Sequence, residues 1–302
     1  MFDYVTHKEG GSGDRVCYHG VLDTFRNPKI AAATYFSQQD EIPVLVVGST
    51  MDLGDYNRSA IGDVYAFTNA DSVRLYKNDA YLGEMSEKAF PALPHSPILL
   101  DPLGDRLEKA EGYTGDAEKL LHEILTATKV HQLDHLPAQY LPLLEEAKEK
   151  YGIHWDEISR LYGKYIGGWG DKSMSWRIDA IKDGQVVSSV TCCPSTKLHM
   201  DVRVSKTALL DDKTYDMSAV RVRLLDEYGN PAAYAQLPVV FTLEGAGELV
   251  GPNIVTAEGG MCGTYIRTVG QSGSIKLTVS TNQTEPVTVE LTVEDHSVEG
   301  VQ

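Results

Sequence analysis

From Pro43 onward, apolar and polar positions alternate in short runs. Pro43-Val44-Leu45-Val46-Val47, residues 63–69 (DVYAFTN), 72–77 (SVRLYK) and 81–85 (YLGEM) each read as a strand with an apolar face. Asn69-Ala70-Asp71 and Lys77-Asn78-Asp79 fall between them as turns. Short strands at this spacing predict a β-sandwich. Between about 97 and 170 the period becomes helical. Leu120, Leu121, Ile124 and Leu125 share one face of a helix over 116–129. Leu141, Leu143, Leu144 and Ala147 mark a second over 137–151, with Gly152 as its C-terminal cap. Ile158, Leu161, Tyr162 and Tyr165 mark a third over 155–166. Strands resume at 174–180, and Asp183-Gly184 predicts a tight hairpin into 185–190. These two strands should close the first sandwich, which makes the helices an insertion in it. Runs at 198–204, 218–225, 239–243, 264–268, 274–280 and 287–293 predict a second, continuous sandwich, with turns at 226–230 and 245–247. Residues 296–302 read as a frayed tail.

The first 38 residues follow neither period. They are dense instead in side chains that do chemistry: Asp3, Tyr4, His7, Asp14, Arg15, Tyr18, His19 and Asp23, with a glycine-rich loop among them. Asn27 and Pro28 predict the cap and first turn of a helix over 29–37 that carries Ile30, Tyr35 and Phe36. Nothing nearby in the sequence supplies a partner for that apolar face.

Composition narrows the classes. The 302 residues are 42% hydrophobic and 23% charged, as in folded proteins of two or three domains. A net charge of −16 argues against binding nucleic acid or anionic lipid through a basic face. No run approaches membrane-spanning length, and no export signal is visible. Location is left open, with a bacterial cytoplasm as the expected setting. Cys17, Cys192, Cys193 and Cys262 lack zinc-motif spacing and read as free or buried thiols. His131 and His135 stand at i, i+4 around Asp134, but without a third ligand they read as solvated surface. No metal or cofactor is expected. Asn57-Arg58-Ser59 and Asn282-Gln283-Thr284 fit the glycosylation sequon, which matters only in a eukaryotic secretory route.

The opening stretch carries a resemblance. Phe2-Asp3-Tyr4, Gly13-Asp14-Arg15, Cys17-Tyr18-His19-Gly20-Val21-Leu22-Asp23 and Phe25-Arg26-Asn27-Pro28-Lys29 together resemble the end of the catalytic barrel of glycoside hydrolase family 2, the β-galactosidase and β-glucuronidase family. Residues 68–76 (TNADSVRLY) resemble the immunoglobulin-like domain that follows the barrel, and residues 176–184 (WRIDAIKDG) fit its later strands. The stretch after Leu198, with 226–230 (DEYGN), resembles an accessory sandwich of bacterial members. The resemblance implies a mostly β chain with two immunoglobulin-like β-sandwiches. Residues 1–40 would be the last strand, loop and helix of a (β/α)8 barrel. Residues 41–196 would be the first sandwich, with a helical insertion at about 97–170, and residues 197–295 the second.

Family members cleave the glycosidic bond with two glutamates, an acid/base and a nucleophile, on earlier barrel strands. Neither motif occurs here, so no catalytic residue is assigned and the chain alone is expected to be inactive. Its partners would be the barrel, on the same polypeptide or a separate one, and a carbohydrate substrate; a homo-oligomer is also open. In β-glucuronidases an Asn-x-Lys pair before the glycine reads the substrate carboxylate. Here Cys17-Tyr18-His19 stands in its place, which implies a neutral hexoside as in β-galactosidases, with His19 donating or accepting near the sugar. Asp3, Tyr4 and His7 would line the pocket, Asp3 alternatively bracing the barrel rim, while Asp14 and Arg15 would pair to hold the loop. Trp169, in Gly167-Gly168-Trp169-Gly170, is a candidate glycan or interface contact. The competing reading is a non-catalytic carbohydrate-binding or partner-binding β-sandwich module. Residues 1–38 are expected to be mobile, or packed on the first sandwich or a neighbouring chain.

Overall fold

A computed structural model describes residues 1–5, 16–51, 60–167 and 174–295. The chain divides into two compact units: residues 33–194, and residues 1–32 together with 195–302. The second unit opens with two short strands, β1 (Tyr4–Val5) and β2 (Val16–Cys17).

The unit of residues 33–194 starts with a single turn, α1 (Ala33–Phe36). A three-stranded sheet follows, made of β3 (Leu45–Val47), β4 (Tyr65–Thr68) and β7 (Ile98–Leu99). A four-stranded sheet is ordered β6 (Ala80–Met85), β5 (Ser72–Lys77), β8 (Trp176–Lys182), β9 (Gln185–Cys192). The β8–β9 hairpin turns at Asp183 and Gly184, both at positive φ, as the sequence predicts. Antiparallel pairing sets Val73 opposite Ala180, Leu75 opposite Ile178 and Lys77 opposite Trp176.

Between β7 and β8 lie α2 (Arg106–Lys109), α3 (Gly115–His131), α4 (Leu141–Tyr151) and α5 (Trp155–Tyr165). Gly152 ends α4 in the left-handed conformation, with Ile153 N–H returning to the Ala147 carbonyl at 2.9 Å. The helices are not an appendage. Leu121, Ile124, Leu125, Leu161 and Tyr165 share one continuous core with Val73, Leu75, Trp176 and Ile178. Periodicity shows which face of each helix is apolar, but not that this face meets the sheets. Lys77 ties sheet to helix. Its buried ammonium donates to the carbonyls of Gly163 (2.8 Å), Lys164 (3.2 Å) and Gly167 at the C-terminal end of α5, where the helix dipole favours a cation. Burial nevertheless pushes its pKa down to about 8.

In the other unit, β10 (Leu198–Val204), β12 (Met217–Asp226), β16 (Met261–Thr268) and β14 (Gly247–Val250) form one sheet, in that order. The facing sheet is β11 (Ala208–Asp211), β18 (Thr284–Asp295), β17 (Gly273–Thr281), β13 (Pro238–Gly245) and β15 (Ile254–Thr256). Alternate residues of β12 are buried, and Val220, Val222 and Leu224 meet Phe241, Leu277 and Leu291 in the core. The short β11, β14 and β15 carry too few residues to announce themselves by alternation.

Residues 20–29 pack on this sandwich, whereas the end of the opening segment belongs to the unit of residues 33–194, where Gln38 Nε2 donates to the His95 carbonyl at 2.8 Å. Across β12 and β16 the register sets Arg221 opposite Gly263 and Ala219 opposite Tyr265. Phe25 sits over Gly263, where a Cβ would come within 2.6 Å of its ring, and beside Tyr265 at 5.9 Å between centroids. Arg221 Nε donates to the Phe25 carbonyl (2.8 Å) and Asn27 Nδ2 to the Cys262 carbonyl (3.1 Å). A small residue on an outward sheet face thus leaves the seat for an aromatic ring from about two hundred residues earlier in the chain.

The expected helix over 29–37 is shorter than its composition suggests. A 3-10 turn at Ile30–Ala32 runs into α1, and Asn27 does not cap it. Asn27 instead closes a loop in which Asp23 Oδ1 accepts from Phe25 N–H (2.8 Å) and Asn27 N–H (2.7 Å), and Asp23 Oδ2 from Asn27 Nδ2 (2.8 Å). The same loop recurs at Asp226, which accepts from Tyr228 N–H (2.9 Å), Asn230 N–H (2.8 Å) and Asn230 Nδ2 (2.9 Å). Leu22-Asp23-Thr24-Phe25-Arg26-Asn27-Pro28 and Leu225-Asp226-Glu227-Tyr228-Gly229-Asn230-Pro231 are one turn written twice. Arg26 and Gly229 hold the equivalent position at positive φ (71° and 85°).

Candidate functional site

The site is built around the segment that precedes Gly20. Strands β1 and β2 pair antiparallel, Tyr4 opposite Cys17. Before β1, the chain runs beside residues 20–22: Asp3 N–H donates to the Leu22 carbonyl (2.9 Å) and Val21 N–H to the Met1 carbonyl (3.2 Å). The approach is so close that a Cβ on Gly20 would stand 2.3 Å from the Asp3 nitrogen, so only glycine fits there.

Asp3 is 3% exposed. Its Oδ1 accepts from Gly20 N–H (2.8 Å) and Lys29 Nζ (2.8 Å), and its Oδ2 lies 2.7 Å from the same ammonium. Lys29 also donates to the Tyr18 carbonyl (3.1 Å). A buried carboxylate and one lysine thereby fix both ends of the loop at 18–20. The Arg26 guanidinium stacks on Phe2, 3.3 Å from the ring centroid. On this brace Tyr4, Tyr18 and His19 are exposed. The structure therefore brings Asp3, Tyr4 and His19 together, with Asp3's carboxylate engaged inside the segment. His7, Asp14, Arg15, Trp169 and the sequon at Asn57 lie outside the described residues.

Glu258 and Lys29 are neighbours of this loop that sequence reasoning passed over. Tyr18 donates its hydroxyl to Glu258 Oε2 at 3.0 Å. Nothing in the linear pattern links positions 18 and 258; Lys29, at the end of the Asn27-Pro28-Lys29 run, was legible only as part of a motif.

A separate concavity lies on the unit of residues 33–194. This open groove of about 710 Å³ is lined by His122, Thr126, His131 and Tyr140 among others. His122 Nε2 lies 3.3 Å from Asp101, which raises the imidazole pKa. Burial works against the Asp101 carboxylate, but its hydrogen bonds to His122 and to the Leu103 backbone bring its pKa below the ordinary value. His131 ends α3 and stacks with Tyr140, while His135 lies beyond the helix, so the i, i+4 pair does not share a helical face. Among the described residues no group of three or more His, Cys, Asp or Glu is arranged to hold a metal, and none of the four cysteines is in a disulfide.

Residues 201–290, most of the second sandwich, match glycoside hydrolase family 2 C-terminal domain 5. The chain is 28% identical over 282 residues to a β-galactosidase of Thermoanaerobacter pseudethanolicus, covering 91% of this chain and 30% of that protein. A β-galactosidase of Thermoanaerobacterium thermosulfurigenes is 26% identical over 264 residues, 86% of this chain and 29% of that protein. Together these matches support the likeness of this chain to a C-terminal part of a glycoside hydrolase family 2, β-galactosidase-like protein. A β-glycosidase from Bacteroides vulgatus shares the fold, with a TM-score of 0.61 at 15% identity over 97% of this chain and 30% of that one. The chain thus spans about a third of the length of these relatives.

Proposed function

We propose that this chain is the accessory C-terminal region of a retaining β-galactosidase-like enzyme that hydrolyses terminal β-linked neutral hexosides. Residues 1–40 supply the last strand, loop and helix of its (β/α)8 barrel. Residues 41–196 and 197–295 form two immunoglobulin-like sandwiches, the first holding the helices. The catalytic glutamates belong to barrel strands outside these residues, one protonating the leaving oxygen and the other forming the glycosyl-enzyme intermediate that water then hydrolyses. The observation that carries the reading is the braced loop at 18–20, which leaves His19 exposed while the Asp3 carboxylate that supports it is buried. Loops at the C-terminal ends of barrel strands build active sites, and an imidazole there both donates to and accepts from sugar hydroxyls. Tyr35 and Phe36, which are 67% and 48% exposed, would be covered by the rest of the barrel, as would Ile30, which is 46% exposed.

The test is hydrolysis of p-nitrophenyl β-galactoside and β-glucuronide by the protein carrying barrel and chain together. The galactoside should be strongly preferred, and His19→Ala should raise its KM about tenfold, the worth of one polar contact to a sugar. Preference for the glucuronide, or an unchanged KM in His19→Ala, would contradict the reading.

A further inference from the structure

The second sandwich does more than follow the barrel in sequence: it holds the loop that carries His19. We infer that Glu258 is a positioning residue for the sugar site, acting through Tyr18; this rests on the reading that residues 18–20 form a wall of that site. Glu258 opens a two-residue turn, Glu258-Gly259-Gly260-Met261, with Gly259 and Gly260 at φ of 60° and 76°. Glu258 and Met261 exchange backbone hydrogen bonds of 2.9 and 3.1 Å across it. This is the tight hairpin geometry that only such residues adopt without strain. The turn is itself clamped, because Leu224 N–H donates to the Gly260 carbonyl at 2.7 Å and a Cβ at Gly260 would meet the Ala232 carbonyl oxygen at 2.5 Å. Glu258 is therefore carried on rigid backbone.

From that support its Oε2 accepts the Tyr18 hydroxyl at 3.0 Å. Tyr18 precedes His19 directly, and its own carbonyl is held by Lys29. Other ties between the described residues of the segment and the sandwich, Arg221 to the Phe25 carbonyl, Asn27 to the Cys262 carbonyl and the Phe25 ring over Gly263, anchor the turn at 23–27. Glu258 reaches the loop at 18–20 itself. Family 2 C-terminal domain 5 thus supplies a side chain that sets the height and orientation of a substrate-facing loop.

The experiment uses the protein carrying both barrel and chain, with p-nitrophenyl β-galactoside as substrate. Glu258→Ala and Tyr18→Phe should each lower kcat/KM about tenfold, as displacement of a contact residue does. The double variant should lose no more than either single one, because both remove the same bond. Glu258→Gln, whose amide oxygen still accepts from the phenol, should recover most of the rate, with the thermal midpoint of every variant unchanged. A silent Glu258→Ala beside a damaging His19→Ala would overturn the inference, as would additive losses in the double variant. A silent His19→Ala would instead overturn the wall reading. Glu258 is then judged on the 302-residue chain by hydrogen exchange: amides 16–20 should exchange faster in Glu258→Ala, and unchanged exchange there overturns the inference in that case too.

Discussion

Individual residues show most clearly where chemistry outruns pattern. Asn27 followed by proline looks like a helix cap, yet its amide closes the Asp23 loop and reaches the Cys262 carbonyl. Asparagine side chains satisfy either local geometry, and the sandwich decides between them. Lys77 looks like the polar end of an alternating strand, yet it is 4% exposed and bonded to three carbonyls. Its pKa of about 8 lies below that of the unfolded chain. Between about 8 and 10.5 the unfolded state therefore holds the extra proton, and stability rises with pH. Relative to Lys77→Met, which has no such proton, the wild type should gain up to about 3 kcal/mol across that window. Urea unfolding of both proteins at pH 7.5 and 10.5 reads this directly; parallel pH profiles would show that the carbonyls hold the ammonium charged throughout.

Elements were legible in proportion to their length and regularity. The alternation of β10 and β12 and the apolar faces of α3 and α5 are plain in the sequence because burial on one face imposes the period. What those faces meet is not written locally. The helices between β7 and β8 read as an insertion but complete the core of their unit. The docking of residues 20–29 on β12 and β16 joins positions about two hundred residues apart, through a glycine whose meaning appears only in three dimensions. Phe25→Ala should empty that seat. We expect a loss of about 1–3 kcal/mol, with faster hydrogen exchange over 21–29 and unchanged protection in the centre of β12. Unchanged exchange over 21–29 would show that the segment is held by its hydrogen bonds alone.

For the whole molecule, the clustered motifs of the opening stretch pointed to the family 2 likeness, whereas the hydrogen-bond partners of its residues were not legible there. Asp3 stood among the candidate sugar contacts, and the structure shows its carboxylate engaged with Gly20 and Lys29. His19, singled out from its place before Gly20, is exposed on that support. The Tyr18–Glu258 bond links the loop to the family 2 C-terminal domain and has no sequence signature. The proposed role of these residues is to complete an active site whose glutamates lie in the rest of the barrel. Its most direct test is the rate of β-galactoside hydrolysis by that barrel region with and without this chain supplied. Negligible turnover by either part alone and recovery on combining them are expected. Full activity of the barrel region without the chain, or turnover by the chain alone, would contradict the proposed role.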